Sequence, residues 1–223
     1  MGEQVNIIYE DNHIIVVLKK ADQPIMQDAS QDYDLLTQVK DYIKMKYDKP
    51  GNVFVGLVHR LDRPVGGIMV FAKTSKAASR LSEQIRNNKV VKKYLAVVLG
   101  RMSNTSDSLE NWMYKDESKK TSFIADKIYK DAKLAKLSYT VLKTSGEYSL
   151  LDIDLHTGRH HQIRVQFSNI GHPIYGDMKY GNGPKGHIAL FAYCLEFIHP
   201  VTGQLMKFNA EPDYSIPPWP LFR

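Results

Sequence analysis

The stretch Val58-His59-Arg60-Leu61-Asp62-Arg63-Pro64-Val65-Gly66-Gly67 decides how the rest of the chain is read. Pro64 fixes its own φ and has no N–H to donate, and the Gly66-Gly67 pair loosens the backbone, so no regular element is expected there. The apolar runs 53–58 and 67–71 on either side read as buried strands. The loop between them presents one carboxylate, Asp62, flanked by Arg60 and Arg63. A carboxylate inside a basic rim suits a phosphate-bearing substrate, because the arginines hold the anion while the acid does the chemistry. Taken alone, the same residues also describe a solvated turn with a surface Asp–Arg pair worth little energy.

Working toward the N-terminus, 33–47 carries Leu36, Val39 and Ile43 at helical spacing. Asp32 or Asp34 is placed to cap it and Pro50-Gly51 to stop it. His13–Leu18 is a β-branched run and reads as a strand. Toward the C-terminus, Ser75–Asn88 reads as a helix with Ala78, Leu81 and Ile85 on one face. Strands are expected over 94–99, 138–142, 150–155, 188–198 and 205–208. In 150–155 the residues Leu151, Ile153 and Leu155 alternate with Asp152 and Asp154, so one face is buried and the other wet. The polar stretch 100–133 is expected to be loops or a variable insertion. After Thr157-Gly158 turns the chain, 160–170 is expected to be helical, with Ile163, Phe167 and Ile170 inward and Gly171 as the stop.

This order is strand-rich with interspersed helices and lacks regular β-α-β alternation. The expected fold class is α+β, a mixed and largely antiparallel central sheet with flanking helices and loops, forming one continuous domain over 1–223.

Two more segments carry candidate chemistry. In 90–98, Lys92, Lys93 and Tyr94 lead into an apolar strand; a tyrosine there can stack on a base while lysines meet phosphates, or it can be an edge residue of the core. In 157–164, His161 and Arg164 are three apart and should project from one side of a helix, where an arginine can pair with a carboxylate or phosphate. An ordinary amphipathic helix has the same pattern.

Bulk properties fit a polyanionic partner without requiring one. The 30 Lys and Arg exceed the 24 Asp and Glu, giving a formal charge of +6. The content of 43% hydrophobic and 24% charged residues is that of a globular chain and argues against extensive disorder. Cys194 is the only cysteine, which excludes an intrachain disulfide and fits a reducing compartment. No signal-peptide pattern opens the chain, and no apolar run approaches the ~20 residues of a membrane helix. A cytoplasmic protein with no membrane association is expected. The histidines show no His-Glu-x-x-His spacing and no accompanying cysteine pair, so no metal site is expected.

Taken together and in order, these segments resemble the RluA-type pseudouridine synthases. The likeness rests on the Val58–Gly67 loop, followed by Ala72-Lys73-Thr74, Lys93-Tyr94-Leu95-Ala96 and Thr157-Gly158-Arg159-His160-His161-Gln162-Ile163-Arg164. Gly171-His172-Pro173-Ile174, Gly176-Asp177 and Phe197-Ile198-His199-Pro200 continue it, and Ile8–Val17 is similar to the family's first strand. The chain departs from the family at Lys19-Lys20-Ala21-Asp22, where Lys-Pro-Ala-Gly is usual, at Pro64-Val65-Gly66, and at Phe191, where histidine is common. The first strand starts so near Met1 that no S4 RNA-binding domain is expected before it.

The resemblance implies an RNA-modifying isomerase acting on ribosomal or transfer RNA, with no cofactor, and a monomer is expected. By that resemblance Asp62 is the catalytic aspartate, Tyr94 stacks on the target uracil, and Arg164 pairs with the aspartate. Arg60 fills the space vacated by the flipped nucleotide. His59, Arg63, Lys93, Arg159, His161 and Gln162 are expected to contact RNA, with Lys73, Lys76, Arg80 and Lys92 as further phosphate contacts. Two other readings of the segments are a nucleoside or glycoside hydrolase pairing Asp62 with Asp177, and a non-catalytic RNA-binding protein of the same fold.

Overall fold

The computed structural model describes residues 5–223, so the first four positions of the expected 1–223 domain lie outside the described residues. The chain divides into two compact units: residues 1–90 with 193–211, and residues 91–192 with 212–223.

In the first unit, β1 (Asn6–Glu10) pairs antiparallel with β2 (Ile14–Lys19), and β2 with β4 (Gly66–Ala72). The two-residue β3 (Gly56–Leu57) pairs with the end of β4. The opening segment is therefore two strands, not the single one that Ile8–Val17 suggested. Asp11 divides them, its Oδ1 accepting from the His13 and Ile14 N–H groups at 2.7 and 2.8 Å, a turn built from a short polar side chain. The strand expected over 53–58 is only the half-buried β3; the strand expected over 67–71 is β4, buried along its length. Two helices follow the expected positions, α1 (Leu35–Lys46) and α2 (Ser75–Arg86). Asp34, not Asp32, caps α1, accepting from the Thr37 N–H at 3.0 Å; Thr74 caps α2. The core of this unit packs Ile14, Val16, Ile68, Val70, Leu81 and Phe197 together. Strand β10 (Leu190–Ile198) enters it at Tyr193 and pairs antiparallel with β11 (Leu205–Asn209).

The second unit is an antiparallel run in which β5 (Val91–Leu99) pairs with β9 (Tyr148–Leu155), β9 with β8 (Lys133–Ser145), β8 with β6 (Ser106–Asp116), and β6 with β7 (Thr121–Ala125). The region 100–133 is thus not a set of loops, because β6 and β7 form a hairpin within it. Its turn is closed by Asp116 Oδ1, which accepts from the Ser118 and Lys119 N–H groups. Most of its side chains are half-buried or exposed, so the alternation that betrays a strand is faint in the sequence.

Helix α3 (Gln162–Asn169) is buried from Gln162 through Phe167. Its start differs from expectation. His161 stands at the N-cap with φ +55, outside the helix, so His161 and Arg164 are not partners on one helical face. Ile170 points outward at 38% exposure, contrary to the expected inward position. Gly171 does stop the helix: it takes φ +83, and the next N–H, from His172, reaches back to the Phe167 carbonyl at 2.9 Å. A short 3-10 turn, Trp219–Phe222, packs its Trp and Phe with Val97, Leu150 and Ala189.

The α+β fold with a mixed, largely antiparallel sheet and three helices is as the sequence implied. Among the described residues no helix is long and apolar enough to cross a membrane.

Candidate active site

In the first unit the Asp62 loop is fixed from beneath. Leu61 and Val65 are buried on either side of half-buried Asp62, and the Val65 N–H closes a turn onto the Asp62 carbonyl at 3.0 Å. The strongest anchor is Lys19, which ends β2 and is 0% exposed. Its Nζ donates to the carbonyls of Lys20, Arg63 and Val65 at 2.9, 2.8 and 2.8 Å, one acceptor for each proton of an ammonium. Burial pulls its pKa down to about 7, while the Asp22 and Asp62 carboxylates pull the other way. The charge of the Asp62 carboxylate is thus felt at the Lys19 ammonium that holds the loop. Lys19 drew attention in the sequence only as part of a departure from the family pattern; the signal for its role is an unsplit apolar strand ending in lysine.

The basic rim is less uniform than expected. Arg60 is exposed. Arg63 is committed within its own unit: Nη1 donates to Asp28 at 2.7 Å and to Ser30 Oγ at 3.0 Å, Nη2 pairs with Asp32, and Nε donates to the Asp22 carbonyl. His59 accepts the Val70 N–H on Nε2 at 3.0 Å, which extends the β4 pairing one step beyond the short β3. Two of the expected phosphate contacts also serve internal bonds. Lys73 is buried against Glu10 at 2.5 Å, and Arg80 donates to the Pro200 carbonyl at 2.6 Å. Lys76 is exposed.

In the second unit Tyr94 lies on β5 opposite Ile153, at 8% exposure. Lys93 comes within 3.8 Å of the Asp152 carboxylate. Burial, helped by the charge of Arg159, lowers the pKa of Lys92. The Thr157–Gln162 turn is organised by Gln162, which is 3% exposed. Its Oε1 accepts from Thr157 Oγ1 and the Arg159 N–H, and its Nε2 donates to the Lys136 carbonyl and Gln166. An amide bonded in this way shapes the turn that carries Arg159. Arg159 is exposed, with its Nε on the Leu134 carbonyl at 2.8 Å.

Arg164, in the first turn of α3, is buried and forks onto Asp177: Nε to Oδ2 at 2.7 Å and Nη2 to Oδ1 at 2.8 Å. Burial pushes the Asp177 carboxyl up, but the Arg164 hydrogen bonds and charge outweigh it and hold the pKa below its usual value. An acid so tightly engaged cannot trade protons with a sugar, so it is unsuited to be the second carboxylate of a hydrolase. His161 stacks on His160 at 3.7 Å, and its Nδ1 lies 2.7 Å from Tyr180 Oη. Burial first, then the charge of Arg164, drives the His161 pKa down to about 3, so its ring is neutral. Among the described residues no group of three or more His, Cys, Asp or Glu is arranged to hold a metal ion.

Residues 13–169 match the family described as RNA pseudouridylate synthase, a span that runs through both units. An uncharacterized RNA pseudouridine synthase of Aquifex aeolicus is 34% identical over 93% of this chain and 69% of its own length. The ribosomal large subunit pseudouridine synthase D of Haemophilus influenzae is 31% identical over 92% of this chain and 67% of its own. The solved human RNA Pseudouridylate Synthase Domain Containing 1 shares the fold, with a TM-score of 0.77 at 24% identity over 97% of this chain and 86% of its own. The chain therefore belongs to the RNA pseudouridylate synthase family, whose members isomerise uridine to pseudouridine in RNA.

Proposed function

We propose that this enzyme modifies a uridine of large-subunit ribosomal RNA, with Asp62 as the catalytic carboxylate, Tyr94 as the stacking residue and Arg164 as the partner of the ionised acid. On this reading 1–223 is a single catalytic domain, and the family match across 13–169 supports it. The choice of RNA is supported by relatives named for the ribosomal large subunit. Action in the cytoplasm as a monomer fits the same assignment.

The observation that carries the reading is the Asp62 loop itself, held by two hydrogen bonds from one fully buried lysine. Pseudouridine formation breaks the N1–C1′ bond, turns the uracil and rejoins it through C5. Nothing is oxidised, so the central demand is one carboxylate, held where water is excluded, that attacks the sugar or the base or removes a ribose proton. A stacked uridine must first be flipped out, at a cost of a few kcal/mol. Stacking on Tyr94 returns ~1–3 kcal/mol of this. Arg60, exposed beside the loop, is suited to fill the gap, and Lys92, Lys93 and Arg159 to meet the backbone; Arg63 and Gln162 act by shaping the loops that carry them. His59, through Nε2, and His161, through Nδ1, are bonded within the protein and belong to the same support.

Mapping pseudouridines in RNA from cells with and without this protein tests the assignment. Loss of one or a few sites in large-subunit ribosomal RNA is expected. Losses confined to transfer RNA would overturn the choice of substrate, and an unchanged map with release of free uracil would overturn the isomerase role of these residues.

A further inference from the structure

We propose that Asp177 and Tyr180 are positioning residues that lock the Arg164 guanidinium into one orientation. The inference rests on the reading of Arg164 as the partner of the catalytic acid.

The argument begins with the shape of the group. A guanidinium is planar, so fixing Nε and Nη2 fixes Nη1 as well. Asp177 fixes those two nitrogens, and is itself held: its Oδ1 also accepts from the Lys179 and Tyr180 N–H groups at 3.0 and 3.2 Å. The carboxylate thus has four donors, two from the arginine and two from the backbone that follows it. Tyr180 closes the other side, with its ring centroid 5.1 Å from the guanidinium carbon.

Tyr180 is tied at three points to two elements. Its Oη accepts the N–H of Ser122, on β7, at 2.9 Å. Its hydroxyl meets His161 Nδ1, at the cap of α3; a neutral ring accepting there requires Tyr180 to donate. Its carbonyl accepts from Ser168 Oγ, near the end of the same helix. The ring under the arginine therefore cannot swing without breaking the hydroxyl's bonds to β7 and to the cap of α3, and the carbonyl bond to Ser168 holds the backbone that carries it. A buried ion pair is weak evidence for stability, since an apolar pair of similar volume often serves as well. Four donors on one carboxylate, plus a tethered ring, instead favour geometry as the purpose.

The test uses the full-length enzyme, with total RNA from cells lacking it as substrate, and reads the single-turnover rate of pseudouridine formation and the affinity for that RNA. Asp177→Asn is expected to slow the rate about 10- to 100-fold while affinity changes less than about twofold. In an Arg164→Lys background the same change is expected to cost nothing further, because the fork is already gone. A wild-type rate for Asp177→Asn, or a loss that multiplies with that of Arg164→Lys, overturns the inference. Wild-type activity of Arg164→Lys instead overturns the role given to Arg164 itself. If Asp177→Asn fails to fold, Tyr180→Phe answers in its place, keeping the ring and removing the hydroxyl tether. It is expected to slow turnover about fivefold at unchanged affinity, and an unaltered rate would refute the positioning role.

Discussion

The Nζ of Lys19 lies 2.8 Å from the main-chain oxygen of Arg63, the residue that follows Asp62, and the same distance from that of Val65. One buried side chain thus holds the loop of the proposed catalytic acid from a position 44 residues earlier in sequence. Replacing it by Met keeps the length and leaves three carbonyls without their donor, two of them on this loop. Lys19→Met is expected to cost roughly 2–4 kcal/mol of stability, read as a lowered denaturation midpoint. It should also lose most of its activity at temperatures where it remains folded. A variant as stable and active as wild type would show that the loop holds itself.

Asp62→Asn tests the acid directly. The side chain keeps its size and loses its charge, so the pinned backbone and the RNA-facing surface should be little changed. Pseudouridine formation is expected to fall below detection, while RNA binding, measured by filter retention, stays within a few-fold of wild type. Normal turnover in this variant would remove Asp62 from the mechanism.

Much of this was legible in the sequence, and the exceptions have physical causes. Strand β4 and helix α2 were read closely because each buries a face and so shows its period. The β6–β7 hairpin was missed because it buries little. The place of His161 was missed because a left-handed N-cap has no signature when the residue is not glycine. Gly176-Asp177 stands out in the sequence as a motif, but only tertiary structure reveals that Asp177 engages Arg164, 13 residues away. Arg63 likewise looked like a free basic rim until Asp28 and Asp32 were found on it.

Tyr94 should divide its duties between ring and hydroxyl. On the proposed assignment the ring supplies stacking area, and the hydroxyl would assist the last step, removal of the C5 proton. Tyr94→Phe is therefore expected to bind RNA normally and to stall late, with rearranged but unreleased nucleotide detectable after denaturing the complex. Product formation at full speed would show the hydroxyl to be dispensable.

Glu10 predicts how the first unit responds to acid. Burial raises its pKa, but hydrogen bonds from Lys46, Lys73, Tyr47 and Tyr42 more than reverse this and bring it down to about 2, from an ordinary 4.5. The folded state therefore binds its proton less readily than the unfolded chain. Glu10 contributes its full stabilisation above pH 4.5, and the contribution fades as pH falls from there through about 2. Its Lys46 partner is 45% exposed and partly screened, so the amount at stake is on the order of 2 kcal/mol. Glu10→Gln should be less stable by that amount at neutral pH and should converge on wild type as the medium is acidified below pH 3. Denaturant melts at several pH values measure this. A constant gap between the two proteins from pH 7 to pH 2 would mean that the ion pairs on Glu10 do not control acid stability.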